Sequence, residues 1–424
     1  MLKCANLGAL MLFFLALFAG NKLAISGGFM IPHQTARALS LSNAMTAGVD
    51  DASAVYYNPA ALSEVAGNNL LVTGTYIGVD NTVENSGREA RNEHNDNFLG
   101  SFFANYHVPG TDITIGIGTY SPFGLATTYE RDFTRFAAER TELRTLYVTP
   151  AVSWHPTPIL SIGAGASFVH ASGVFSRQLC FNSLACTFAP GTGEAHLRLT
   201  DTANAFAYNI GILVKPTDNW KFGFSYRGRT DIRFDNADVK LSGVLGNQKV
   251  SADVRPLPLP PVINVGGHWQ ITSNWGAELV YEYTRWSEFK NFKATVQGGP
   301  LPGFNLPENW KSTSTLRVGS HYSLSDSIEI RGGFAVEETP IPNSTQNPSI
   351  PDADKLTLNA GIGYKWDRFG IDAGYMAVIY KTRRINNNEL EGIPATGIPF
   401  YGAPGKDKYK TFNNFLSLSA SYRF

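Results

Sequence analysis

Beyond residue 67 the chain is built from runs in which apolar and polar side chains alternate one by one. Trp220, Phe222, Phe224 and Tyr226 alternate with Lys221, Gly223, Ser225 and Arg227. Trp275, Ala277, Leu279, Tyr281 and Tyr283 do so against Gly276, Glu278 and Glu282, and Leu356 to Trp366 repeats the pattern. In the last run Leu416, Leu418, Ala420 and Tyr422 alternate with Ser417, Ser419, Ser421 and Arg423, and Phe415 breaks step. A β-strand sends successive side chains to opposite faces, so each run predicts a strand with one apolar and one polar face. Fourteen such runs can be read. Two covers for the apolar faces stay open at this point: a second sheet in a soluble sandwich, or lipid around a closed barrel.

The connections separate these readings. Six are tight: His107–Asp112, His155–Pro158, Lys215–Asn219, Ile271–Asn274, Leu324–Ser327 and Trp366–Arg368. They alternate with seven long ones, among them Tyr120–Thr141, Ala171–Ala203, Lys240–Pro260 and Lys381–Lys410. Strict alternation puts every long loop at one end of the sheet, the habit of bacterial outer-membrane barrels, which also have even strand counts. A chain ending on Phe424 within its own last strand leaves nothing further to cover the apolar side. The expected fold is all-β, a 14-stranded antiparallel transmembrane β-barrel over residues 68–424.

The other end of the chain supplies a compartment. Lys3 precedes a 13-residue apolar run, Leu7–Ala19, too short for a membrane span and suited to a secretory signal peptide. Ala24 and Ser26 fit small residues at −3 and −1, so residues 1–26 are read as the signal and Gly27 as the mature start. No later segment has 18 consecutive apolar residues. The 35 basic and 35 acidic side chains balance, which argues against a nucleic-acid partner. Cys180 and Cys186 lie close together in an exported chain that permits a disulfide. Zinc spacing, a phosphate-binding glycine loop and an EF-hand loop are all missing, so no metal or cofactor is expected.

Residues 27–67 are rich in Ala, Ser and Gly, and Asn58-Pro59-Ala60 marks a sharp turn. The segment reads either as a hatch folded into the lumen or as an arm outside the barrel. Its Gly27-Gly28-Phe29 start and the run Ser42–Leu62 resemble the N-terminal hatch of the long-chain fatty-acid transporter (FadL-type) family. Ser121-Pro122-Phe123-Gly124, followed by Leu125-Ala126-Thr127, resembles the kinked third strand of that family. Tyr283–Phe289 and Ile350–Lys355 resemble two further signatures.

The resemblance implies a monomeric outer-membrane protein of a Gram-negative bacterium. It implies passive uptake of long-chain fatty acids, or of aromatic and aliphatic hydrocarbons. Substrate would be captured at the external loops, bound in the barrel and released sideways into outer-membrane lipid at the strand-3 kink. By likeness, Phe29 reaches into the pocket and Arg177 and Lys311 meet a carboxylate, although either cation also reads as an ordinary loop or lumen charge. Pro122 reads equally as a kink or as the start of a loop. Phe175, Leu179, Phe181, Leu184 and Phe188 give the Ala171–Ala203 loop a capture surface, or simply pack around the cysteines. A general porin and a lipase built on His170 and Ser172 are the rival readings. Gly173 follows that serine, and the sequence names no group to orient the imidazole.

Overall fold

The structure, a computed structural model, describes residues 27–424 apart from 86, 94–96, 131–132, 183–185, 187–190, 302 and 387–406. The expected signal over 1–26 lies outside the described residues, as do Leu184 and Phe188. Alternation becomes strand wherever it was read. The barrel strands are β1 (Asn69–Asn85), β2 (Asn97–His107), β3 (Ile113–Tyr120 and Gly124–Thr128), β4 (Arg140–Thr157), β5 (Leu160–Cys180) and β6 (Glu194–Thr217). Four strands broken once each follow: β7 (Trp220–Arg227, Thr230–Gly243), β8 (Gln248–Leu259, Val262–Gln270), β9 (Trp275–Thr284, Asn291–Gln297) and β10 (Phe304–Pro307, Thr313–Ser323). The last are β11 (Ile328–Glu337), β12 (Lys355–Trp366), β13 (Phe369–Tyr380) and β14 (Asp407–Arg423). All neighbours are antiparallel, and β14 returns to β1 in one unbroken register from Asn69↔Arg423 to Glu84↔Lys408. Closure of β14 onto β1 removes both outer edges of the sheet.

The closing strand shows how the faces are used. Leu416 and Leu418 are half exposed and point outward, while Ser417 and Ser419 are buried and bonded at 2.8 Å to Thr75 and Thr73 of β1. Phe415, the residue out of step, faces inward and packs with Leu39, Ile77, Met376 and Val378. At the tight-turn end an aromatic girdle forms: Trp220 stacks on Trp269 at 5.3 Å, and Phe369 and Tyr422 meet at 5.0 Å. Amphipathic rings belong at that depth, where lipid meets water.

Residues 27–67 fold inside the barrel. Thr35 caps a short helix, Ala36–Ser40, and Asn58 caps a 3-10 turn, Pro59–Glu64, with its side chain accepting from Ala60 N–H at 3.2 Å. The Asn58 amide also donates to Thr46 O at 2.7 Å and to Ile212 O of β6 at 3.2 Å. Glycines make the seat. A Cβ at Gly163 or Gly211 would run into Asn58, Pro59 or Ala60, so only glycine lets β5 and β6 approach the turn. Glu278 of β9 accepts three backbone N–H groups, from Thr46, Ala47 and Gly48, each at 2.7 Å. A segment without a ladder of its own thus has its amides satisfied by lumen side chains.

Two expectations about the connections need correction. Ala171–Ala203 and Lys240–Pro260 are mostly strand, because β5 and β6 pair as far as Cys180↔Glu194 and β7 and β8 as far as Leu241↔Gln248. At Phe175–Cys180 of β5 both faces are covered, which hides the alternation, whereas Ile232–Leu241 of β7 still alternates buried apolar with mostly exposed polar residues. Ser176 and Gln178, on the outer face of β5, are bonded to Glu139 of the segment that crosses over them.

Candidate functional site

Between β2 and β3 the wall is interrupted on its loop side. Phe102–His107 of β2 pairs with β3, but Asn97–Ser101 pairs only with β1 among the described residues. Among the described residues, the strand ladder of the second piece of β3 runs only with β4. Higher up, a bridge between Asn92 and Tyr129 rejoins the edges. The result is a bounded window, backed by a cavity of about 630 Å³. Its cause is a one-residue excess: Tyr120 faces Tyr147 and Gly124 faces Arg144, so four steps of β3 match three of β4. Such a bulge bends its strand away from the other neighbour.

The N-terminal segment occupies the break. Ile31 N–H donates to Pro122 O at 2.7 Å, and Gly124 N–H donates to Phe29 O at 3.0 Å. Gln34 exchanges two bonds of 3.1 Å with the Ser121 backbone. These bonds deliver the Phe29 ring into an aromatic box: Trp286 at 4.8 Å, Trp310 at 5.6 Å, Phe123 at 6.2 Å and Phe289 at 6.3 Å. Edge-to-face geometry of this kind adds to simple burial. Gly28, with φ of 81°, lies so close to Trp286 and Trp310 that a Cβ would be 2.8 Å from one ring and 2.9 Å from the other. Its N–H donates to Asp352 at 3.0 Å, and Lys355 holds the same carboxylate at 2.9 Å.

Behind Phe29 lies a second, smaller cavity of about 100 Å³. Phe175, Phe234, Leu257, Phe289, Phe292 and Leu306 contribute most of its apolar wall, and Glu308 is its buried acid. Phe29, Leu125, Leu143 and Ile350 line both this cavity and the one behind the window. The two spaces therefore meet at Phe29.

Of the residues anticipated from sequence, Phe29, Phe175 and the Ser121–Gly124 stretch come together here. Phe175, Arg177 and Leu179 share the inward face of β5. Arg177 is buried with its guanidinium 5.1 Å from the Phe304 ring and 5.6 Å from that of Phe175, but it lines neither cavity. Lys311 is exposed, its N–H donating to Pro340 O, and lies apart from both. Phe181 is exposed just after β5, beside the bonded pair Cys180–Cys186. His170 faces outward and bonds Asn204 at 2.9 Å, and Ser172 makes no hydrogen bond to it. Sequence reading missed Trp286, Trp310 and Glu308. The first was within the Tyr283–Phe289 stretch already marked, whereas Glu308 sits in a strand break with no periodicity to flag it.

The N-terminal segment carries its own charge network at the tight-turn end. Arg37 pairs with Asp50, and Glu64 meets Lys221 at 3.0 Å. Burial works to raise Asp50, but Arg37, aided by Lys365 and Lys221, holds its carboxyl down to about 2.

Residues 17–424 match the family described as Outer membrane protein transport protein (OMPP1/FadL/TodX). The 47 kDa outer membrane protein of Pasteurella multocida is 24% identical, covering 97% of this chain and 96% of that protein. The long-chain fatty acid transport protein of Escherichia coli O157:H7 is also 24% identical, over 81% of this chain and 85% of that one. A solved Pseudomonas aeruginosa FadL homologue superposes with a TM-score of 0.83 at 22% identity, covering 94% of this chain and 100% of its own. The Pseudomonas putida toluene transporter TodX superposes with 0.74 at 17%, covering 95% and 100%. The structural likenesses carry the fold, and the nearly full-length family match carries membership. This chain belongs to the OMPP1/FadL/TodX family of outer membrane protein transport proteins, and it is a β-barrel of the bacterial outer membrane.

Proposed function

We propose that the protein is a monomeric channel for passive uptake of hydrophobic molecules, long-chain fatty acids foremost, with no catalytic step. Substrate settles at the loop end among Phe175, Leu179 and Phe181. It then enters the apolar cavity, passes Phe29, and leaves through the window between β2 and β3 into outer-membrane lipid. The observation carrying this reading is that Phe29 stands where the apolar cavity and the window meet. An acyl chain avoids the cost of crossing water, about 0.8 kcal/mol per CH₂, if it leaves sideways. Residues 27–67, the hatch, keep the lumen closed beneath that route, and Phe29 moves to release the cargo. Arg177 is the cation for a carboxylate head group, reached by displacing the rings that cover it.

A second reading, uptake of aromatic hydrocarbons, is supported by the ring-lined cavity and by the likeness to a toluene transporter. Uptake of labelled hexadecanoate and labelled toluene by cells lacking their own transporters decides between them. The primary reading expects saturable hexadecanoate uptake that Phe29→Ala cuts about tenfold, roughly 1.4 kcal/mol. Saturable uptake of toluene alone would favour the second.

A further inference from the structure

A second interruption of the wall lies between β6 and β7. The two strands pair from the tight turn to Asn209↔Arg227, and Gly228 N–H still donates to Tyr208 O at 2.9 Å. They pair again only from Thr200↔Asp238. Ten steps of β7, Gly228 to Asp238, thus match eight of β6, Tyr208 to Thr200. Against β8 the same stretch of β7 slips register twice, and Asn236 has a φ of 60°. A bulged strand bends away from one neighbour, and here β7 follows β8 and parts from β6. The parting leaves an outward-facing cleft of about 600 Å³, with Thr202, Asn204 and Phe206 on one bank and Arg229, Arg233 and Asp235 on the other. Phe234, on the inward face of β7, lines the apolar cavity instead, so the cleft is a separate space.

The rings below the cleft set its depth. Phe206 is 81% exposed and meets Phe168 at 6.0 Å, and Tyr208 meets Tyr226 at 6.0 Å. Phe206 lies about eleven residues up β6 from Thr217, the partner of Trp220 in the tight-turn girdle. At about 3.3 Å per residue and a tilt of about 40° that is roughly 28 Å, close to the height of an apolar band. These rings are therefore the outer girdle, and the cleft above them sits among the head groups of the outer leaflet.

The charges around it are only partly matched. Arg229 is held by Asp231 at 2.7 Å and by Glu288 at 2.5 Å. Arg233 and Asp235 have no ion-pair partner among the described residues. Just above, Lys240 of β7 stands directly opposite Arg198 of β6 on one side and Lys249 of β8 on the other. All three are exposed, and among the described residues none pairs with an acid, although Asp238 lies one row below on the same face. Like charges directly opposite one another destabilise a sheet, so an anion from outside the chain is what completes this row.

We propose that the cleft binds the phosphorylated sugar head group of an outer-leaflet glycolipid. Its phosphates meet Arg233 and the Arg198–Lys240–Lys249 row, whose cations supply both charge and donors to phosphate oxygens. Its sugar hydroxyls meet Thr202, Asn204 and Asp235, the last an acceptor that bare phosphate would avoid. Its acyl chains run down the exposed Phe206 and Phe168 rings into the belt. A phospholipid such as phosphatidylglycerol shares the charge but lacks the sugar that fills the space and bonds Asp235.

Native mass spectrometry of the purified, detergent-solubilised protein, titrated with diphosphoryl lipid A, its dephosphorylated form or phosphatidylglycerol, tests this. One diphosphoryl lipid A should bind per barrel, at least about tenfold tighter than either of the others. Arg233→Ala combined with Lys240→Ala should weaken it about tenfold. Lys381→Ala, which removes an exposed cation just past β13, should change it less than about twofold. Hydrogen exchange locates the site: lipid A should slow residues 202–206 and 229–235 and leave 97–101 at the window unchanged. The wild-type comparisons need no variant, so they stand even where the double substitution folds poorly. Equal affinity for phosphatidylglycerol or for the dephosphorylated lipid overturns the proposal. So does an equal loss in Lys381→Ala, or protection that falls outside the cleft.

Discussion

The tight-turn half and the loop half of this barrel solve the same problem in opposite ways. Both must fill a fourteen-strand lumen, which is too wide to close on its own side chains. The tight-turn half fills it with hydrogen bonds. Glu278 gathers three amides, Asn58 ties Thr46 to β6, and Arg37 answers Asp50. The loop half uses rings and leaves space: Phe29 among Trp286, Trp310, Phe123 and Phe289, with cavities on either side. Directional bonds fix one arrangement, whereas aromatic packing is adaptable. The difference teaches where movement belongs. At its base the N-terminal segment is pinned by Asn58 and Glu278. At its tip the backbone from Gly28 to Ile31 is bonded to Asp352, Pro122 and Gly124, and only the Phe29 side chain is held by packing alone. On the proposed route it is therefore the ring that moves.

Removing the pinned half gives the largest effect. Deleting Phe29–Leu62 while retaining the signal should leave a barrel that closes through β1 and β14. Planar-bilayer conductance should rise roughly tenfold or more as the wide lumen opens, and selective uptake of long-chain substrate should be lost. Unchanged conductance and uptake would mean that the hydrogen-bonded half is not what closes the pore.

A smaller effect sharpens the account of the loop half. Arg177→Ala should weaken binding of a fatty acid more than of an uncharged hydrocarbon of similar length, by about 1.5–3 kcal/mol. Calorimetry with both ligands checks it, and equal losses would remove Arg177 from the head-group role. The smallest effect is expected at Cys180–Cys186, which closes a short loop beyond the strands. Its reduction frees chain entropy of only about 2 kcal/mol, confined to that loop. Proteolysis near Phe181 should speed up while the barrel's heat-modifiable gel mobility stays the same.

The same contrast explains what the sequence made readable. Lipid on one side and lumen on the other force strict alternation, so the strands within the belt and the tight turns were legible residue by residue. Phe415 looked like a defect, and its inward contact with Leu39 and Met376 explains why it is apolar. Above the belt, Phe175, Arg177 and Leu179 face inward, and Ser176 and Gln178 are covered by a crossing segment, so the strand continues without its signal. The site was only partly legible for a related reason. Phe29 and the Ser121–Gly124 break stood out through family likeness and backbone chemistry. Glu308 and Trp310, from the break in β10, meet Leu257 of β8 only in three dimensions. Lys311, next to buried Trp310, is exposed, and nothing in Trp310-Lys311 signals which of the two turns inward.

The central claim is that cargo leaves through the window that one extra residue creates in β3. Deleting Pro122 alone lets β3 run in register with β4 and lie alongside Asn97–Ser101 of β2. Hydrogen exchange should then show new protection in Asn97–Ser101 and Gly124–Thr128, reporting a closed wall. In that variant, uptake of labelled hexadecanoate by intact cells should fall about tenfold, a rise of about 1.4 kcal/mol in the barrier, while binding to the purified protein persists. Undiminished uptake through a wall that hydrogen exchange reports as closed would contradict lateral release, and the cargo would have to leave past the hatch instead.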